Sequence, residues 1–209
     1  MSLKYMQIET TSTCNQRCFF CPVSIGKKDK VQLSPERLDK IIDGLKQHPI
    51  ESIAISGFTE PTHDKGLADK IAALRAAGFK VSIFTNGSGL QPELTDQLLA
   101  LGVSGFTFNL STLDEAEYRQ TRGTQDLRRV IPNIDYLIAQ APVRDKLVEI
   151  TIVVIGRLDG QHAENLREID RKYADAGVVN VLIRNWASRT PASVAATSGW
   201  SLIILSVRK

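Results

Sequence analysis

Six short apolar runs, each followed by an amphipathic or polar stretch, constrain this chain more than any other feature. The runs cover residues 5–10, 52–56, 81–85, 106–110, 148–155 and 178–183 and are rich in Ile, Val and Phe. Runs of that length and composition read as buried parallel strands. Between them, Leu38, Ile41, Ile42 and Leu45 recur at helical spacing behind an expected N-cap at Ser34 and a Pro at position 35. Leu67, Ile71 and Leu74 mark a second helix stopping at Gly78, and Leu94, Leu98 and Leu101 a third, opening near Pro92 and stopping at Gly102. Val130, Ile134, Leu137 and Ile138 mark a fourth, with Pro132 as a break or second start, and Leu166, Ile169 and Tyr173 a fifth ending at Gly177. Strand–helix alternation of this kind gives an α/β fold, a parallel sheet with helices outside. The spacing is compatible with an open doubly wound sheet or with a partial (β/α) barrel. In both, chemistry sits at the C-terminal ends of the strands.

The 209 residues suffice for one domain with a sizeable core. With 43% hydrophobic and 23% charged residues, the chain has the profile of an ordinary globular protein and not of a disordered or low-complexity one. A net charge of +3 is too small to argue for a nucleic-acid partner, and none is expected. No apolar run approaches a membrane span and the first nine residues lack a signal-like h-region, so a cytoplasmic setting is expected.

All three cysteines, Cys14, Cys18 and Cys21, fall within eight residues directly after the first strand. An odd, tight cluster is a poor disulfide framework, and thiolates are metal ligands. Structural zinc takes four ligands, with His63 as the only candidate fourth, and iron–sulfur clusters also usually take four thiolates. Three thiolates on a four-iron cluster would leave one iron open.

The pattern C-x-x-x-C-x-x-C after a first strand, with Phe20 before the last Cys, resembles the radical S-adenosylmethionine superfamily. Further motifs are similar to that family's: Ser56-Gly57-Phe58-Thr59-Glu60-Pro61-Thr62 after strand two, with Thr59 where Gly is usual; Thr85-Asn86-Gly87 after strand three; Asn109-Leu110-Ser111, then Tyr118 and Arg122-Gly123, after strand four. The resemblance covers residues 5–185 and implies a six-unit (β/α)6 partial TIM-type barrel. It implies that Cys14, Cys18 and Cys21 hold three irons of a [4Fe–4S] cluster whose fourth iron chelates the amino and carboxylate groups of S-adenosylmethionine. Reductive cleavage of that molecule would give a 5′-deoxyadenosyl radical for hydrogen abstraction. Thr59 and Glu60 would lie by the methionyl ammonium, with Gly57 of the same motif also cofactor-binding, and Asn109 and Ser111 would contact the ribose or carboxylate. Asn86 would face the site, Arg157 would pair with the carboxylate, and Phe20 would pack near adenine.

The segment Ile8-Glu9-Thr10-Thr11 before Cys-Asn is similar to members carrying a C-terminal cysteine-rich SPASM domain, which act on peptides or on sugar and aminocyclitol precursors. No cysteine follows Cys21, so thiolate-bound auxiliary clusters are not expected. Residues 1–186 read as the core and 187–209 as a C-terminal extension. No Asp or Glu follows Asp175, which fits a truncated or altered tail as well as an edge element. The competing readings are therefore a truncated, catalytically incomplete core and a non-catalytic metal-binding module. Substrate-side candidates are His63, Asp64, Arg184, Asn185 and Trp186. Lys27, Lys28 and Lys30, with Arg17, suggest docking of a flavodoxin- or ferredoxin-type electron donor.

Overall fold

The computed structural model describes residues 4–21, 29–143, 148–156, 159–173, 176, 179–185 and 204–205, the side chains of 142–143, 179–185 and 204–205 excepted. The strands are β1 (Tyr5–Ile8), β2 (Ser52–Ile55), β3 (Lys80–Thr85), β4 (Gly105–Asn109), β5 (Glu149–Gly156), β6 (Val179–Asn185) and the two-residue β7 (Ile204–Leu205). The helices are α1 (Pro35–Leu45), α2 (Leu67–Ala76), α3 (Pro92–Ala100), α4 (Glu115–Arg122), α5 (Leu127–Val143) and α6 (Gly160–Tyr173).

All pairings are parallel, in the order β6-β5-β4-β3-β2-β1-β7. That order decides between the two architectures the spacing left open. A doubly wound sheet reverses its strand order at a switch point, whereas here six strands follow one another without reversal. Right-handed crossovers then put every helix on the same face. Accordingly α1 packs on α2, α2 on α3, and α3 on α5. The result is the partial (β/α)6 barrel. Ile204 and Leu205 pair with Gln7 and Ile8, so β7 adds to the β1 edge of the sheet.

Strand register shows why one face was left uncovered. Met6, Ile8, Ile53, Ile55, Val81, Ile83, Phe106, Phe108, Ile150, Ile152 and Val154 share the helix-facing side and are all buried. Burying each such side chain contributes about 1.5–3 kcal/mol. The opposite face mixes the smaller or polar Gln7, Ala54, Ser82, Thr107, Asn109 and Thr151 with Phe84 and Val153, and several of these are only half-buried. The outer face is wholly apolar and the inner one mixed, and the C-terminal strand ends become the place for chemistry.

Helix boundaries follow local chemistry. The Ser34 hydroxyl accepts from the Arg37 amide at 3.4 Å, as its N-cap position predicts. Gly78 and Gly102 close α2 and α3 with φ of +94° and +78°. Pro132 neither breaks nor starts a helix. It is the sixth residue of a continuous α5, where its missing N–H removes a single bond from the first turns. Gly177, the expected end of α6, lies outside the described residues. No helix among the described residues is long and apolar enough to cross a membrane.

Candidate active site

The cysteine loop spans the mouth of the barrel and is tied at both ends. On the β2 side, the Glu60 amide donates to the Thr13 carbonyl at 2.9 Å. On the α4 side, the amides of Arg17 and Phe19 donate to the carbonyls of Arg122 and Thr121 at 2.9 and 3.2 Å. Those carbonyls belong to the last turn of α4, where a helix has no N–H donors of its own to offer them. The loop thus caps the helix while the helix holds the loop. Gly123 makes this approach possible. It takes the left-handed conformation at φ +69°, and a Cβ there would lie 3.2 Å from the Arg17 Cβ.

Cys14, Cys18 and Cys21 are half-buried free thiols on this loop. Burial pushes the Cys14 thiol up to about 12; the Gln16 amide pulls it down, while Glu60, Cys18 and Cys21 add to the rise. The Cys18 thiol donates to the Gln16 Oε1 at 3.3 Å, and Gln16 Nε2 donates to the Tyr118 hydroxyl at 2.7 Å. Among the described residues, no three His, Cys, Asp or Glu side chains converge on a point that would hold a single metal ion.

Glu60 is buried and bonded entirely to protein. One oxygen accepts from the Thr62 amide at 3.1 Å, the Thr62 hydroxyl at 2.7 Å and the Thr85 hydroxyl at 2.5 Å; the other accepts from the Asn86 amide at 2.6 Å. Burial pushes its carboxyl above the ordinary value, and these donors pull it back. Glu60 therefore joins the ends of β2 and β3 and caps the 3-10 turn Pro61–His63. Thr59, beside it, keeps a buried hydroxyl with no hydrogen-bond partner among the described residues. Gly57 sits at φ +134°, where a Cβ would collide with the Glu9 side chain, and Glu9 Oε1 accepts from the Phe58 amide at 2.6 Å.

Asn109 and Ser111 meet at a residue to which the motif reading gave no role. Arg122 is 2% exposed; its Nη2 donates to Asn109 Oδ1 at 2.7 Å and to Ser111 Oγ at 2.8 Å. Its Nη1 lies 3.5 Å from the Cys18 sulfur, and its Cζ lies 4.6 Å from the centre of the Phe20 ring. No carboxylate among the described residues pairs with it. The Arg-Gly of α4 was visible as a motif, but the partnerless charge was not, because it depends on packing between β4, α4 and the cysteine loop. Asn86 lies between Glu60 and the loop, its side-chain amide donating to Asn15 at 2.9 Å. Arg157 and Trp186 lie outside the described residues, as do the side chains of Arg184 and Asn185. His63 is exposed in the 3-10 turn; Asp64 is buried and turned to Lys70 Nζ at 2.8 Å, locking the turn to α2.

Phe20, Ser111 and Arg122 also line a cavity of about 1010 Å³ that runs outward between α4 and α6.

The parts fit an anionic metal centre with a zwitterionic ligand. A buried guanidinium without a counterion is costly, and a cluster of thiolates or a ligand carboxylate beside Cys18 would relieve it. The partnerless Thr59 hydroxyl offers an acceptor to an ammonium.

The Radical SAM superfamily model matches residues 8–173, and the chain belongs to that superfamily of enzymes. Among curated relatives, a tungsten-containing aldehyde ferredoxin oxidoreductase cofactor-modifying protein of Pyrococcus furiosus is 25% identical over 200 residues, covering 92% of this chain and 54% of the relative. A probable GTP 3′,8-cyclase of Archaeoglobus fulgidus is 27% identical over 170 residues, covering 80% and 55%. The chain spans about half the length of these relatives. Among solved structures, Streptococcus suis SuiB bound to S-adenosylmethionine superposes with a TM-score of 0.72 at 16% identity, over 98% of this chain and 51% of that one. SuiB bound to its precursor peptide SuiA gives 0.72 at 18% identity, over 90% and 41%. These likenesses bear out the partial barrel.

Proposed function

We propose that this chain is the catalytic core of a radical S-adenosylmethionine enzyme, and that its substrate is a peptide. The observation that carries the reading is Arg122, a buried cation with no counterion among the described residues, set between the Cys18 sulfur, Ser111 and Asn109. Cys14, Cys18 and Cys21 would hold a [4Fe–4S] cluster. Arg122 and Ser111 would orient the methionyl carboxylate, and the Thr59 hydroxyl would accept a hydrogen bond from the ammonium. When bound, the reduced cluster and S-adenosylmethionine supply a 5′-deoxyadenosyl radical that abstracts hydrogen from the substrate. Phe20 and the cysteine loop would shield that chemistry from water. Arg157 stays a candidate partner for the carboxylate.

A peptide is favoured because SuiB, which shares this fold over nearly the whole chain, has been seen with a precursor peptide bound. A sugar or aminocyclitol precursor is the second reading, favoured by the weaker likeness to BtrN in complex with AdoMet and 2-DOIA at a TM-score of 0.53. The exposed Arg17 and Lys30, with Lys27 and Lys28 outside the described residues, would dock a flavodoxin- or ferredoxin-type donor. Reversing these charges should slow reduction and flatten its salt dependence; an unchanged rate and salt profile would remove the docking role. The core reading is tested by anaerobic reconstitution followed by dithionite. Release of 5′-deoxyadenosine by the wild type and its loss in Cys18→Ala are expected, and cleavage retained in Cys18→Ala would refute the ligand assignment.

A further inference from the structure

Asn15 lies inside the cysteine motif, between Cys14 and Cys18, and its side chain is held from three directions. Its Oδ1 accepts from Asn86 Nδ2 at 2.9 Å. Its Nδ2 donates to Ser88 Oγ at 3.0 Å and to Asp126 Oδ2 at 2.8 Å. The Ser88 hydroxyl donates in turn to Asn86 Oδ1 at 2.7 Å. Asn15, Ser88 and Asn86 thus form a closed ring of donors and acceptors, and such rings strengthen each member. Asn86, Ser88 and Asp126 are all buried.

The ring also fixes which way the Asn15 amide points. Turning it over would set its oxygen against the Asp126 carboxylate and its nitrogen against Asn86 Nδ2. Asp126 stands on firm ground itself. Its carboxylate accepts from Arg129 Nη2 at 2.5 Å, and its carbonyl accepts from the Arg129 and Val130 amides at the head of α5. The turn on the other side is equally fixed, since Asn133 Nδ2 of α5 donates to the Gly87 carbonyl at 2.8 Å. Asn15 is therefore the point at which the metal-binding loop is bolted to β3 and α5 together.

We propose that Asn15 and Asp126 are a positioning pair for the metal centre. They hold the Cys14–Cys18 segment in its ligating conformation before iron arrives, and they set the surroundings of those two sulfurs afterwards. The proposal rests on the radical S-adenosylmethionine reading for the identity of the metal, and on the hydrogen bonds alone for the ordering of the loop. The pair touches neither substrate nor reacting atoms and acts through the cysteines. Partners of this kind behind metal ligands are worth roughly 10–100-fold in metal retention, and hydrogen bonding and solvent access at cluster sulfurs set the reduction potential.

The test compares Asn15→Ala, Asp126→Ala and Asp126→Asn in the reconstituted holoenzyme. Asn15→Ala and Asp126→Ala should lose iron to a chelator roughly 10–100-fold faster than wild type and shift the midpoint potential and electron paramagnetic resonance spectrum of the reduced cluster. Asp126→Asn keeps an oxygen facing Asn15 and should restore both properties. In the apo protein, Cys14 and Cys18 should alkylate faster in the two alanine variants and at the wild-type rate in Asp126→Asn. Wild-type iron retention and spectrum in a folded Asn15→Ala protein would overturn the proposal. Should Asn15→Ala fail to fold, equal iron retention in Asp126→Ala and wild type would overturn it as well. A wild type that takes up no iron would sink the cofactor reading, while the alkylation rates would still decide whether the pair orders the loop.

Discussion

Replacing Glu60 by alanine removes the acceptor of four hydrogen bonds at once. The Thr62 and Thr85 hydroxyls can rotate toward other acceptors, but the amides of Thr62 and Asn86 are fixed by the backbone. A buried donor left unmet costs about 1–3 kcal/mol, so two cost about 2–6 kcal/mol. For a chain of this length about 1 kcal/mol lowers the melting temperature by roughly 2–4 °C, giving a loss of about 4–24 °C for Glu60→Ala. Glu60→Gln should cost less. Its carbonyl can take the Asn86 amide and its NH2 can donate to the two hydroxyls, leaving only the Thr62 amide unmet, a loss of about 1–3 kcal/mol. Thermal denaturation of the apo protein, followed by circular dichroism, measures both. A Glu60→Ala protein melting within about 2 °C of wild type, when even one unmet donor costs about 1 kcal/mol, would refute the structural account of this residue and return it to direct ligand binding.

Arg122→Met should weaken S-adenosylmethionine binding by tenfold or more, the loss of about 1.4 kcal/mol from one charge-assisted contact. Calorimetry on the reconstituted protein measures it, and unchanged affinity would remove Arg122 from the ligand site. Gly123→Ala forces a left-handed backbone and crowds Arg17, so it should destabilise the apo protein by about 1–2 kcal/mol and loosen the cysteine loop, read as faster alkylation of Cys18. The Cys14 thiol, pushed up to about 12 by burial from an unperturbed 9.0, stays protonated in the fold after the unfolded chain has ionised. Its contribution to stability is therefore complete below pH 9 and is lost as pH rises toward about 12. Cys14→Ser should flatten that part of the apo protein's pH–stability curve, and an unchanged curve would contradict the burial of this thiol.

The strand–helix alternation was legible because buried parallel strands and amphipathic helices each leave a pattern in the chain. The choice of barrel over doubly wound sheet was not, since strand order depends on pairings between distant residues such as Ile53 with Val81. Residue types at the barrel mouth were likewise readable from motifs, but their partners were not. Glu60 reads as a residue beside an ammonium, but the donors of Thr62, Thr85 and Asn86 that surround it are not in the motif. Arg122 reads as part of an Arg-Gly motif, and the motif does not show that no carboxylate among the described residues pairs with it. Asp64 reads as a substrate-side candidate, and its bond to Lys70, six residues along the chain, is not visible in the sequence. In each case the deciding quantity is which donors and acceptors are left over once the core has formed, and a linear sequence does not carry it.

The central claim is that three thiolates hold a four-iron cluster with one iron open to S-adenosylmethionine. It is tested most directly by titrating S-adenosylmethionine into the reduced, reconstituted protein while recording its electron paramagnetic resonance spectrum. About four irons per chain and a cluster signal that changes on addition of S-adenosylmethionine are predicted. A colourless protein holding a single zinc, or a cluster whose signal ignores S-adenosylmethionine, would contradict the account.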